Sequence, residues 1–220
     1  GQTATRPLSI EVFPALSVTT ASLPAGIVDS TYATTLTATG GDSTFVWSIA
    51  SGTLPDGLTL SADTISGTPT AAATSTFTVQ VTTGDGQTAP KELSIAIHGT
   101  LSITTTSLSD GLVGSVYKDP LTATGGDGTY TWSVSAGTLP TGLTLNADTI
   151  AGTPTATDTS TVTLQVTSGD AQTTTKELSI TVTRAAATVE LSPTSLSFSS
   201  VSDTASLTAT VKDHAGVTMI

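Results

Sequence analysis

The sequence predicts an all-β fold, made of two similar sandwiches in tandem. Three observations support this prediction. Charged residues make up only 10% of the chain and aromatic residues 4%, while Thr, Ser, Ala and Gly fill the remainder, a composition that suits half-buried strands better than helices. Apolar side chains alternate with polar ones at a period of two. The chain also repeats itself at an offset of 85 residues, so that Leu16 aligns with Leu101.

The repeat defines the organisation of the chain. Residues 16–97 (copy one) align without a gap on residues 101–182 (copy two), and roughly two-thirds of the positions are identical. The phrase GTLPDGLTLSADTISGTPT at 52–70 recurs as GTLPTGLTLNADTIAGTPT at 137–155. A unit of this length is a small domain with its own core rather than a solenoid repeat.

The flanking residues predict parts of further domains. RPLSIEV at 6–12 aligns with KELSIAI at 91–97, so residues 1–15 resemble the last strand of a preceding repeat. The segment 189–220 differs from both copies and has the pattern of two or three strands. We therefore expect a section of a longer array, with one complete domain at 16–98, a second at 99–184 and an incomplete third at 185–220.

Period-two alternation predicts which side chains form the core. In FVWSI, the side chains of Phe45, Trp47 and Ile49 share one face of a strand, which we assign to the core. Copy two repeats this pattern with Tyr130, Trp132 and Val134. Two further apolar stripes follow in copy one: Phe77, Val79 and Val81, then Leu93, Ile95 and Ile97.

The phrase at 52–70 predicts a compact pair of corners between two sheets. Pro55 presets φ and Gly57 accepts a positive φ, which together favour a turn. Leu58 and Ile65 then point inward, and the Gly-Thr-Pro run that begins at Gly67 ends the strand. No stretch has helical periodicity with caps. Seven or so strands in each copy, with a turn every 8–12 residues, predict an immunoglobulin-like (Ig-like) sandwich.

The motifs in their order resemble a known family. Tyr32, TLTATGG, a W-S pair, GTLPxGLTL, I-x-GTPT and F-T-V-Q-V-T resemble bacterial Ig-like repeats that are related to dystroglycan-type, cadherin-like domains. This resemblance covers 16–97 and 101–182. LSPTSLSFSS, LTATV and KDHAGVT in 189–220 resemble the start of an invasin/intimin-type bacterial Ig-like domain. The resemblance implies tandem immunoglobulin-like (cadherin-like) β-sandwiches in exported stalks, adhesins or modules attached to other domains.

Charge excludes two classes of partner. The chain has 17 acidic and 6 basic residues, for a net charge of −11. Nucleic acid binding requires a basic surface, and an anionic membrane surface would be repelled. No apolar run approaches the ~20 residues that span a bilayer, so we expect no direct membrane insertion.

Calcium is the one metal for which the sequence offers ligands, since its ligands are hard oxygens. The candidates are turn residues: Asp42, Asp85, Asp127 and Asp170, with Asp63 and Asp148 in a further turn. Asp is also a natural turn residue, because its side chain bonds nearby backbone N–H groups, and we favour this interpretation. Cadherin-like relatives often hold calcium at domain junctions, but the junctions at 97–100 and 182–185 contain no acids. We expect no other cofactor.

Catalytic constellations are missing from the sequence. The chain has no cysteine, and its two histidines, His98 and His214, fall in different predicted domains, which disfavours a zinc site or a Ser-His-Asp triad. Trp47 and Trp132 suggest sugar-stacking platforms, but their alternation with other apolar residues favours core positions. We therefore expect no enzyme activity.

Two hypotheses for function follow. The first is a section of an exported bacterial surface or extracellular protein, in which Ig-like domains form a rod-like spacer or assembly element. Its partners would be protein domains of the same or neighbouring chains, in a homopolymer or a larger surface assembly. The alternative is an adhesive module that binds carbohydrate or protein, or a filament subunit assembled by strand addition.

Overall fold

The protein is described here by a computed structural model, which covers residues 2–3, 5–192, 197, 200–213, 216 and 218. Every regular element among these residues is a β-strand, so the predicted all-β fold is confirmed. The chain divides into two compact units, Gly1–Leu101 with Thr124–Thr129, and Ser102–Ala123 with Tyr130–Ile220. Among the described residues there is no helix of the length and apolarity needed to cross a membrane.

Copy one contains nine strands, compared with the seven or so that the sequence predicts. They are β1 Ser17–Val18, β2 Gly26–Ile27, β3 Tyr32–Thr35, β4 Ala38–Thr39, β5 Val46–Gly52, β6 Leu58–Ser61, β7 Thr64–Gly67, β8 Ala73–Thr82 and β9 Thr88–Ile103. One sheet has the order β3-β7-β6, and the other contains β5, β8 and β9 as antiparallel neighbours. The short strand β2 pairs with β9 in parallel, and β1 pairs with β4.

The core of copy one lies between these two sheets. From β8, Phe77, Val79 and Val81 are at most 2% exposed, which confirms this stripe. The β9 stripe of Leu93, Ile95 and Ile97 is buried as predicted. From the facing sheet, Tyr32, Leu58 and Ile65 close the core. Full burial of a large aliphatic side chain contributes roughly 1.5–3 kcal/mol, so these stripes are the main source of stability.

The predicted stripe on β5 is only partly buried. Trp47 and Ile49 are partly buried and pack against the core, whereas Phe45 is 37% exposed, so its assignment to the core was wrong. The reason is the position of β5 at the edge of its sheet, with β8 as its single neighbour. The inner face at the start of this strand is therefore open to solvent.

A buried tyrosine ties a loop to the core in each copy. The Tyr32 hydroxyl donates to the Pro24 carbonyl oxygen at 3.0 Å, and the Tyr117 hydroxyl donates to that of Ser109 at 3.0 Å. Burial raises the pKa of both hydroxyls, and the neighbouring Asp119 carboxylate adds to the effect on the Tyr117 pKa. Each hydrogen bond gives the buried phenol hydroxyl a protein partner in place of the water that burial removes.

Copy two repeats this topology. Its strands after β9 are β10 Gly111–Leu112, β11 Tyr117–Pro120, β12 Ala123–Gly126, β13 Tyr130–Ala136, β14 Leu143–Asn146, β15 Thr149–Gly152, β16 Asp158–Ser168 and β17 Thr173–Thr183. The sheet orders are β11-β15-β14 and β10-β17-β16-β13, and β12 pairs with the end of β9. Tyr130, Trp132 and Val134 on the edge strand β13 are half-exposed, like their counterparts on β5.

The described part of the C-terminal segment forms a hairpin. Strands β18 (Ala186–Ser192) and β19 (Thr208–Asp213) pair antiparallel with each other, so both find their partner within the chain. The Lys212 ammonium contacts the Glu190 carboxylate at 2.6 Å. By contrast, residues 5–16 belong to no strand, and Leu8, Ile10 and Val12 are 85–90% exposed.

Candidate functional site

Two of the predicted calcium ligands of copy one lie close together. Asp42 follows β4, and Asp85 lies between β8 and β9; the two carboxylates are near enough to repel each other. Asp42 Oδ1 accepts hydrogen bonds from the backbone N–H groups of Thr44 at 2.9 Å and Gly84 at 3.2 Å. The Asp85 carboxylate accepts from the Thr83 hydroxyl and from the Gln87 side-chain amide. The two turns are therefore joined through the Asp42 carboxylate.

These hydrogen bonds determine how both acids titrate. The Thr44 hydroxyl and backbone N–H lower the pKa of Asp42, and the N–H of Gly84 adds to this. The Thr83 hydroxyl and the Gln87 amide lower the pKa of Asp85, although Asp42 opposes this by charge repulsion. Donors of the protein itself thus stabilise the ionised form of each carboxylate, as expected for turn residues.

Gln87 has a role that the sequence did not indicate. Its Oε1 accepts from the Leu16 backbone N–H at 3.0 Å, and its Nε2 donates to Asp85 Oδ2 at 2.7 Å and to the Pro14 carbonyl oxygen at 3.3 Å. One amide therefore holds the start of copy one against the β8–β9 turn. The one sequence signal for this role is that Gln87 recurs as Gln172 in copy two. The contact itself could not be predicted, because Leu16 is far from Gln87 in the sequence.

The same acidic turns occur in copy two. Asp127 Oδ1 accepts from the Thr129 backbone N–H at 2.9 Å, and the Asp170 carboxylate accepts from the Ser168 hydroxyl and the Gln172 amide. Calcium usually takes six to eight oxygen ligands. Within the described residues, no three His, Cys, Asp or Glu side chains converge on one point. Calcium binding by these four acids stays a prediction.

Among the described residues, His98 takes part in no group of three His, Cys, Asp or Glu side chains. His98 is part of strand β9, and its carbonyl oxygen accepts from the Val28 backbone N–H at 2.9 Å. His214 lies outside the described residues.

A surface groove lies beside the open end of β5. Its floor is formed by Phe45 and Trp47, and its walls by Leu36–Ala38 and by the β6–β7 turn with Ala62 and Asp63. The groove has a volume of about 440 Å³. We call it the aromatic groove of copy one.

An equivalent groove occurs in copy two. Tyr130 and Trp132 form its floor, and Leu121–Ala123, Ala147 and Asp148 form its walls, around about 420 Å³. Of the seven lining positions, only Phe45 differs, since Tyr130 replaces it. Both Trp residues also pack against their cores, as the alternation predicts, but period two identifies only the face of a strand and not its place in the sheet.

Three hydroxyls cluster beside each groove, and one residue of each cluster, Thr37 or Thr122, lines the groove. In copy one, Thr37 Oγ1 accepts from Thr19 Oγ1 at 2.8 Å and lies 3.2 Å from Thr20 Oγ1. In copy two, Thr122 Oγ1 has the same relation to Thr104 and Thr105, at 2.7 and 3.2 Å. The Thr-Thr pair in both copies was the sequence signal for this cluster.

The turn that forms the other wall has a strained backbone. Ala62 and Ala147 both have a φ of 51°, which L-residues other than Gly, Asn and Asp adopt at a cost. The next residue presents an exposed carboxylate, and Asp63 Oδ1 accepts from the Thr64 hydroxyl at 3.0 Å. Each groove is thus lined by two aromatic residues, one acidic residue and one threonine.

Comparison with solved structures supports the fold. Immunoglobulin domains 1–4 of Sidekick-1 match with a TM-score of 0.54 and 15% identity, over 80% of this chain and 51% of that one. Extracellular domains 3–5 of Drosophila OTK match with a TM-score of 0.52 and 14% identity, over 77% of this chain and 60% of that one. The chain therefore spans between half and two-thirds of these structures. At such low identity the likeness establishes the Ig-like sandwich alone.

Comparison with known sequences identifies the family. No curated protein matches the chain. The model of the family described as "Putative Ig domain" (He_PIG) matches twice in succession, at residues 14–98 and 97–185. Tandem Ig-like domains are typical of extracellular and adhesion-type proteins. Because the two matches together span most of its length, the chain belongs to the Putative Ig domain family.

Proposed function

We propose that this chain is a section of an exported bacterial surface or extracellular protein, in which the Ig-like copies act as a stiff spacer. The resemblance of its motifs to bacterial Ig-like repeats supports the bacterial, exported setting. Its tandem family matches support a role in which domains are joined in series. On this proposal, function depends on length and rigidity rather than on chemistry.

The observation that best supports the spacer is the strand between the two copies. Strand β9 runs from Thr88 to Ile103 without a break, so the last strand of copy one passes directly into the first strand of copy two. No Gly/Ser-rich coil separates them, and such coil is what makes linkers flexible. The Val28 N–H to His98 carbonyl hydrogen bond at 2.9 Å holds the junction residue in place.

Backbone ¹⁵N relaxation tests this proposal at the junction. For residues 98–100 we expect order parameters of about 0.85, equal to those of β8, on the picosecond-to-nanosecond timescale. Values below about 0.6 at these residues would mean a flexible linker and would overturn the stiff spacer. Residues 5–12 belong to no strand and provide an internal comparison within the same spectrum.

A further inference from the structure

We infer that the two aromatic grooves are saccharide-binding subsites, one in each copy, that take a neutral sugar ring on the Phe45/Trp47 or Tyr130/Trp132 floor. The inference is independent of the spacer, because a spacer needs no groove. It rests on the shape of the floor, on the polar groups at its walls, and on the recurrence of both.

The floor carries two aromatic rings. Phe45 immediately precedes β5 and Trp47 is the second residue of β5, so the two lie about 7 Å apart along an extended chain. Two rings side by side on one strand cannot surround a ligand, but they can support a flat one. The C–H face of a pyranose ring is such a ligand, since it is apolar and meets the negative face of an aromatic ring.

The walls offer the polar groups that sugar hydroxyls require. Asp63 supplies carboxylate oxygens as acceptors, and Thr37 supplies a hydroxyl that can donate and accept and that contacts the hydroxyls of Thr19 and Thr20. A few convergent polar groups around an aromatic surface are the general composition of small-molecule sites.

A neutral saccharide fits better than an organic cation. A cation would be attracted to the carboxylate and to the aromatic faces, but recognition of ammonium groups uses a cage of rings around the charge. Here both rings come from one strand, and hydroxyls rather than further aromatics form the wall.

The tryptophans provide a direct assay, because the chain contains only two and each lies in one groove. The ¹⁵N-labelled chain is titrated with cello-, xylo-, manno- and galacto-oligosaccharides at millimolar concentrations, and with tetramethylammonium chloride. We expect both indole N–H resonances to shift with at least one of the oligosaccharides. If no oligosaccharide shifts either resonance, or if only the tetramethylammonium ion does so, the inference is wrong.

Substitutions separate stacking from non-specific effects. Phe45→Ala and Asp63→Ala change exposed side chains, so the fold should persist. Each is expected to weaken binding at Trp47 by about 3- to 10-fold, while Trp132 responds as before. The matched control is Val46→Ala, which alters a 68% exposed side chain on the opposite face of β5. An equal loss with Val46→Ala, or no loss with Phe45→Ala and Asp63→Ala, would contradict the assignment.

Discussion

Gly67 packs against the backbone of Gly57, so that a Cβ placed on Gly67 would overlap the carbonyl oxygen of Gly57. Gly67 pairs with Leu58 in the β6–β7 hairpin, and Gly57 immediately precedes Leu58. Gly142 and Gly152 have the same relation in copy two. This contact explains why the phrase at 52–70 keeps its glycines at 137–155, because no side chain fits there.

Gly67→Ala is therefore expected to destabilise copy one by about 2–4 kcal/mol, since the overlap is with backbone and cannot be relieved by a rotamer change. The measurement is urea unfolding followed by Trp47 fluorescence, in a Trp132→Phe background. Gly86→Ala is the control: it shares a positive φ but has open space around it, so only about 1 kcal/mol is expected. Equal effects of the two substitutions would argue against the close contact.

Gln87→Ala is expected to cost about 1–2 kcal/mol, because it removes the acceptor of the Leu16 N–H and one of the donors to the Asp85 carboxylate. Hydrogen exchange at the Leu16 amide should also accelerate. Thr88→Ala alters the adjacent exposed side chain and should change neither quantity. Unchanged exchange at Leu16 in Gln87→Ala would show that this hydrogen bond is not formed in solution.

Acid is expected to weaken copy one through Asp42 and Asp85. The pKa of each lies below its ordinary value of 3.8 in the folded state, so the stabilisation is present above pH 3.8 and is lost as the pH falls through the lowered pKa. The urea concentration at the unfolding midpoint should therefore decrease as the pH is lowered below 3.8. In the Asp42→Asn/Asp85→Asn double variant, this midpoint should decrease less with falling pH than in the unsubstituted chain. If it decreases by the same amount, the two carboxylates are not the source of the pH dependence.

Alkali is expected to weaken copy two through Tyr117. Its pKa is raised above the ordinary value of 10.0, so the stabilisation is complete below pH 10.0 and is lost as the pH rises toward the raised pKa. The ultraviolet absorbance of phenolate should show two late-titrating tyrosines, since burial also raises the pKa of Tyr32, and the component that disappears in Tyr117→Phe belongs to Tyr117. Asp119→Asn should lower the pKa of Tyr117, because the Asp119 carboxylate opposes ionisation of the phenol. If the pKa of Tyr117 is unchanged in this variant, Asp119 does not contribute to it.

Ala62→Gly is expected to stabilise copy one by about 0.5–1 kcal/mol, because glycine adopts a φ of 51° without the penalty that Ala62 incurs. Thermal unfolding in the Trp132→Phe background measures the change. Ala33→Gly, at an exposed position of β3 with ordinary φ, should instead destabilise. If Ala62→Gly destabilises to the same extent, the turn is not strained.

Much of this fold could be predicted from the sequence. Leu93, Ile95 and Ile97 recur at every second residue, and this period determines a buried face wherever a strand lies inside a sheet. Phe45 and Trp47 have the same period, yet their strand lies at an edge. Periodicity does not specify which strands become neighbours, and so the aromatic groove was missed.

The candidate site depends on contacts that are distant in the sequence. The Thr19–Thr37 hydroxyl pair and the Leu16–Gln87 hydrogen bond form only after the strands have paired. Asp42 and Asp85 were identified as turn residues one at a time, but their proximity follows from the pairing of β8 with β9 and β5. Local sequence determined each turn, whereas sheet topology determined which turns meet.

The stiff spacer is tested most directly by the distance between the two copies. The chain has no cysteine, so Val46→Cys and Thr131→Cys place one spin label at equivalent exposed positions of each copy. Pulsed electron–electron double resonance should give a single narrow distance distribution, and a Gly-Ser-Gly-Ser insertion after His98 should broaden it. If the uninterrupted chain gives a distance distribution as broad as that of the insertion variant, the two copies are not joined stiffly and the spacer proposal is wrong.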